Sequence, residues 1–180
     1  RLNHKLDTRL QARYRTIEGN ADADVAALCG EMRYDCALVV IPDHLHFSYA
    51  SALMRHGVHC LVVKPLVETS AQAIELERLR AQHAVHGVVE FHKRWDETNL
   101  WIRRSIAEDR LGKLLYFVVD FSQRVSIPLT TFRHWSGQTN IFQYLGVHYA
   151  DLIHFLTGFL PVRVMAVGTR GLLASRSVTT

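Results

Sequence analysis

Three cysteines, no C-x-x-C pair and no long apolar run set the first limits on this 180-residue sequence. Cys29, Cys36 and Cys60 are odd in number and lack paired spacing, which argues against a disulfide framework or a zinc cage and fits a reducing cytoplasm. A membrane helix needs roughly 20 consecutive apolar residues, and no segment approaches that length. Charge of one sign is also missing: 21 basic residues face 17 acidic ones spread along the chain, so the net charge of +4 does not point to nucleic acid. There is no internal repeat and no low-complexity tract. The sequence opens at Arg1 with neither methionine nor a signal-like apolar core, and Asp7 is the only acid among Arg1, Lys5, Arg9, Arg13 and Arg15. That stretch reads as a solvated helix face in a chain entered mid-domain. What remains is an ordinary globular composition, 48% hydrophobic and 21% charged, enough for one sizeable core or two small ones.

The organising stretch runs from Asp35 to Leu66 and reads as strand, helix, strand. Ala37 to Ile41 is continuously apolar, as a parallel strand buried on both faces requires. Pro42 stops it, and Asp43 is placed to cap a helix whose positions Leu45, Tyr49, Ala50, Leu53 and Met54 recur at helical spacing. Gly57 supplies the left-handed residue that ends this helix. Cys60 to Val63 then carries Lys64, fixed by Pro65, to the carboxyl end of the next strand, where open parallel sheets bind ligands. Upstream, Gly19 to Asp24 is a polar turn, with Asp24 or a neighbour starting a helix through Val25, Leu28 and Met32. Downstream, Thr69 and Gln72 form a capping-box signature ahead of the stripe Ala73, Leu76 and Leu79, and Gly87 to Phe91 reads as a third strand. Alternation of this kind predicts a doubly wound parallel sheet.

The pattern changes at His92. Thr98 to Asp109 reads as a helix ended by Gly112, and Leu114 to Phe121 as a long strand needing no crossover. Ile141, Leu145, His148, Leu152 and Phe155 form one helical stripe that ends at Gly158, and Val162 to Val167 reads as another strand. The residues predict an α/β fold, a doubly wound parallel sheet over residues 1–91 followed over 92–180 by a second, mixed domain. His148 lies in line with apolar residues, with Tyr144 and Asp151 on a shared face. Gly146 inside that helix costs stability relative to alanine and marks a place where something approaches closely. By itself such a histidine is more often a core residue than a catalyst. A metal reading built on His44-x-His46 lacks a third ligand, because His148 and His154 fall on different helix faces.

Taken in order, Asp35 to His46, Lys64-Pro65-Leu66, Glu90 to Asp96 and Gly146-Val-His148-Tyr-Ala-Asp151-Leu resemble the Gfo/Idh/MocA oxidoreductases over about Ala21 to Val167. The resemblance implies a partial Rossmann-type sheet and then the start of an α/β domain with a mostly antiparallel open sheet. It implies an NAD- or NADP-dependent enzyme that moves hydride between nicotinamide and a secondary alcohol or carbonyl of a sugar, cyclitol or related substrate. It also implies a homo-oligomer formed through the sheet of the second domain, with no nucleic-acid or membrane partner. By position, Lys64 resembles the lysine beside nicotinamide and the reacting carbon; a partly buried ammonium there can hydrogen-bond a developing alkoxide. His148 resembles the histidine that relays the hydroxyl proton, which neutral imidazole suits. Ile41, Pro42 and His46, with Lys64 and Pro65, resemble the cofactor-side turns, while Arg94, Trp135, Tyr144 and His148 are expected near substrate.

Three departures qualify the resemblance. Val63 stands where relatives place a glutamate, and Tyr144 where they often place an aspartate, leaving Asp151 as an alternative partner for His148. No G-x-G-x-x-G occurs, so the phosphate turn is expected upstream of Arg1 in a longer polypeptide, and residues 1–180 alone are expected neither to bind the dinucleotide well nor to turn over. The alternative is a non-catalytic sensor that keeps the architecture and binds a partner protein.

Overall fold

The computed structural model describes residues 15–168, so the basic stretch read at Arg1 to Arg13 lies outside the described residues. Three strands, β1 (Cys36–Val39), β2 (His59–Val63) and β3 (Gly87–Glu90), form one parallel sheet in chain order. Leu38 aligns with Leu61 and Leu61 with Val88, while Val39 aligns with Val62 and Val62 with Val89. Because side chains alternate across a strand, these two rows point to opposite faces.

One face is well covered. Helices α1 (Ala21–Glu31), α2 (His46–Arg55) and α3 (Ser70–Gln82) pack as a layer, and Val25, Ala50, Met54, Leu76 and Leu79 close over Val39, Cys60 and Val62 in a single core. The other face is bare among the described residues: Leu38 is 71% exposed, Val40 65% and Val88 53%. The expected burial of the first strand on both faces is thus seen on one, and the second helical layer of a doubly wound sheet is not among the described residues. Local signals explain most helix ends. The capping box forms as read, with Thr69 Oγ1 accepting from the Gln72 amide and the Gln72 side chain accepting from the Thr69 amide. Gly57 takes φ +73 after α2, a conformation that costs glycine nothing.

Two caps differ from the expected residues. Asn20, not Asp24, caps α1. Asp24 instead accepts from the Glu18 and Gly19 amides and from the Tyr49 hydroxyl at 2.6 Å, which ties α1 to α2. Asp43 opens a single 3-10 turn, Asp43–Leu45, without a capping bond, and its carboxylate turns inward to Thr139.

Beyond β3 the chain is helical and irregular. A 3-10 turn, His92–Trp95, leads into α4 (Glu97–Ala107), which packs against α5 (Val147–Thr157). Tyr144 and Leu145 fall in a π-helical turn, Phe142–Gly146, wider than the α-helix that the stripe suggests. Gly146 is a matter of space, because a Cβ there would meet Phe142 Cγ and Cε2 at 2.9 Å and Cδ2 closer still. Neither Leu114–Phe121 nor Val162–Val167 joins a ladder among the described residues, so the antiparallel sheet expected for this half, and the oligomer surface expected on it, have no described counterpart. Strand propensity puts β-branched and aromatic residues in these runs, but a strand exists only where its backbone groups find a partner. Leu115 and Tyr116, both 79% exposed, have no such cover.

Candidate active site

The carboxyl ends of the three strands deliver Ile41-Pro42, Lys64-Pro65 and Phe91-His92 to one edge of the sheet. His46, in the first turn of α2, sits beneath the first two. Its side chain is 0% exposed, with Nδ1 2.7 Å from the Pro65 carbonyl oxygen and Nε2 2.9 Å from that of Ile41. Both nitrogens are occupied by the backbone, so the ring offers a cofactor no polar atom and the His44-x-His46 pair does not present two ligands. Ile41, expected on the cofactor side, turns its side chain against the core.

Lys64 is half-buried and donates a hydrogen bond to the Tyr144 carbonyl, with its ammonium 3.8 Å from the centre of the Tyr144 ring. Burial lowers its pKa from the ordinary lysine value, and the negative charges of Asp43 and Glu90 oppose that shift. Tyr144 belongs to an aromatic cluster: Phe132 lies 4.9 Å from it between ring centres and 4.6 Å from Trp135. Burial and the charge of Asp43 raise the Tyr144 pKa, so the phenol stays protonated near neutrality. Asp43, 5% exposed, accepts from the Thr139 hydroxyl at 2.9 Å and joins the first strand end to the segment carrying Trp135.

His148 is 2% exposed on α5. The Phe91 and His92 rings meet it edge-on at 6.1 and 4.5 Å, and its Nδ1 is buried without a hydrogen-bond partner. Burial first, then the positive charges of Lys64, His92 and Lys93, push its pKa down to about 4 against the pull of Glu90. The imidazole is therefore neutral at pH 7, with a ring nitrogen free to accept a hydrogen bond. Lys64 and His148, 84 positions apart in sequence, are close enough for the charge of one to bear on the other.

Arg94 and Asp151 are brought together differently from the expectation. Arg94 Nε donates to Asp151 Oδ2 at 2.7 Å and Nη2 donates to Oδ1, with the guanidinium 5.4 and 5.3 Å from the Phe91 and Phe155 ring centres. This fork pins the end of β3 to α5. Arg94 is thus paired with Asp151, and Asp151 is not the partner of His148. Sequence reading missed Asp43 and His92 as site residues. Asp43 adjoins the Ile41-Pro42 turn but resembles an ordinary cap, and nothing local shows that His92 stacks on a histidine 56 positions later. None of the three described cavities is lined by Lys64 or His148.

Parallel strand ends are where open α/β sheets bind dinucleotides. A half-buried ammonium and an unpartnered imidazole nitrogen at such an edge fit the nicotinamide end of that ligand.

Residues 5–91 match a family model described as an oxidoreductase family with an NAD-binding Rossmann fold, and residues 100–176 match the GFO/IDH/MocA C-terminal domain. The chain is 33% identical over 153 residues to the myo-inositol dehydrogenase Hyg17 of Streptomyces leeuwenhoekii, covering 82% of this chain and 46% of that protein. It is 27% identical over 150 residues to the scyllo-inositol 2-dehydrogenase (NADP(+)) IolW of Bacillus subtilis, covering 81% and 42%. The chain spans less than half the length of each of these relatives. An inositol dehydrogenase homologue of Azotobacter vinelandii, solved with NADH and myo-inositol, shares the fold at a TM-score of 0.69 and 19% identity, over 75% of this chain and 37% of that one. With both halves matching the two domains of one family in order, the chain belongs to the GFO/IDH/MocA oxidoreductases.

Proposed function

We propose that the complete protein is a nicotinamide-dependent dehydrogenase that oxidises a secondary alcohol of a cyclitol, sugar or related polyol, and reduces the corresponding carbonyl in reverse. The observation carrying this reading is the convergence of Lys64 and His148 from distant parts of the chain on one sheet edge, with Lys64 half-buried against Tyr144 and His148 keeping an unpartnered ring nitrogen. Relatives named as inositol dehydrogenases support the substrate class.

The residues divide the work by charge. An ammonium has three donors, and Tyr144 takes one, leaving others for a substrate oxygen. A hydrogen bond from Lys64 strengthens as that oxygen gains negative character, which stabilises the transition state more than the bound alcohol. Neutral His148 takes the hydroxyl proton as the alcohol becomes a carbonyl. A nicotinamide held at this edge by the strand-end turns would supply the acceptor for the hydride on the same carbon. Trp135 and Tyr144, whose rings meet edge-on, supply aromatic surface beside Lys64 for the carbon face of a ring polyol.

The test is a panel of inositols and aldoses with NAD+ and NADP+, followed by the absorbance of the reduced nicotinamide in the full-length protein. Turnover of at least one polyol, abolished by Lys64→Ala with the circular dichroism unchanged, supports the proposal. Cofactor binding without turnover on any substrate favours the second reading, a sensor. One observation gives that reading weight: Tyr144 already covers the Lys64 ammonium with both its ring and its carbonyl.

A further inference from the structure

Among the described residues, His46 is a buried polar side chain held on both sides by backbone. It is fully buried, and each ring nitrogen faces a backbone carbonyl at a normal hydrogen-bond distance. Those two carbonyls are five and nineteen positions away, and they belong to different strand ends. The β1–β2 pairing closes at Val39 with Val62 and the β2–β3 pairing at Val63 with Glu90. Ile41 and Pro65 lie past those closures, so the ring meets two carbonyls that the ladder no longer serves.

From this arrangement we infer that His46 is a positioning residue: its imidazole clamps the Ile41 and Pro65 turns together, and so fixes where Lys64 projects, without touching cofactor or substrate. The inference rests on the catalytic reading of Lys64. Pro65 is one peptide bond from Lys64, so a shift of its carbonyl is carried to the amine. Pinning the carbonyl from beneath, on a helix rooted in the core by Tyr49, Ala50 and Met54, ties the strand end to the packed core. Loss of the ring would remove the N–H that one of these carbonyls accepts and the packing between the two, and free the turn to move. The turn beside Ile41 would move with it. Misplacement by about 1 Å can lower turnover by about 100-fold, which gives a buried histidine with no ligand a large effect on rate.

The decisive comparison is between His46→Leu, which keeps bulk and removes the ring N–H and its partner nitrogen, and His46→Gln, whose amide nitrogen keeps N–H donors for the carbonyls. Both are made in the full-length protein and compared with Lys64→Ala. The clamp requires that His46→Leu lower kcat by about 10- to 100-fold with a much smaller change in KM, and that His46→Gln recover most of the loss. Equal rates in the Leu and Gln variants, whether both high or both low, overturn it. Lys64→Ala tests the other premise separately: if that variant turns over normally, the catalytic reading fails whatever His46 does. A readout without activity covers the case in which His46→Leu does not fold. In wild-type protein the clamp predicts an imidazole N–H proton of His46 protected from solvent exchange, and a rapidly exchanging one contradicts it.

Discussion

Acidification should destabilise the protein through His148. His148 has its pKa pushed from the ordinary 6.5 to about 4, because its ring is buried and faces the positive charges of Lys64, His92 and Lys93. The sign follows from proton counting. Below about pH 6.5 the unfolded chain takes up a proton that folded His148 refuses, so stability falls with pH until the folded group also titrates near pH 4. The two values give a loss of about 2 kcal/mol between about pH 7 and about pH 5, rising to about 3 kcal/mol near pH 4. Carboxylates titrate in the lower part of that window, which makes pH 5 the better comparison point. The assay is urea unfolding of the full-length protein and of His148→Phe at the two pH values. Wild type should lose about 2 kcal/mol more than the variant on going from pH 7 to pH 5. If the two proteins lose the same amount, His148 does not resist protonation in the fold and the account of its neutral imidazole fails.

Two further substitutions test the surroundings of the site. Gly146→Ala forces a methyl into the Phe142 ring and should destabilise by about 1–3 kcal/mol in urea unfolding; adding Phe142→Ala should restore much of it, and simple additivity would show that the contact is not the cause. Arg94→Lys keeps the charge but loses the fork on Asp151 and should cost about 1–2 kcal/mol, whereas an unchanged unfolding midpoint would mean that the pair does not brace α5.

The first half of the chain is legible because its signals are local. An apolar run stopped by Pro42, a glycine at the end of α2 and the Thr69/Gln72 box each act within a few residues, and the parallel sheet with its helical layer follows from them. Lys64 is found at a strand end for the same reason. The second half depends on partners. Leu114 to Phe121 has every residue preference of a strand and forms no ladder among the described residues, because pairing is a property of two segments. Side-chain commitments across the chain are equally hidden: Asp24 serves Tyr49 instead of a cap, Arg94 pairs with Asp151, and His46 lies between two backbone carbonyls. Composition and spacing name the groups that can do chemistry, while burial decides which remain free for it. His148 keeps an unpartnered nitrogen, and Arg94 does not keep its fork free.

The central claim, that Lys64 and His148 act on one carbon, is tested most directly by a crystal structure of the full-length protein with its nicotinamide cofactor and a polyol that it turns over. The account predicts the Lys64 ammonium and a His148 ring nitrogen both within hydrogen-bond distance of a single substrate oxygen, whose carbon faces the nicotinamide. A substrate bound with either nitrogen directed elsewhere, behind packed protein, would contradict it.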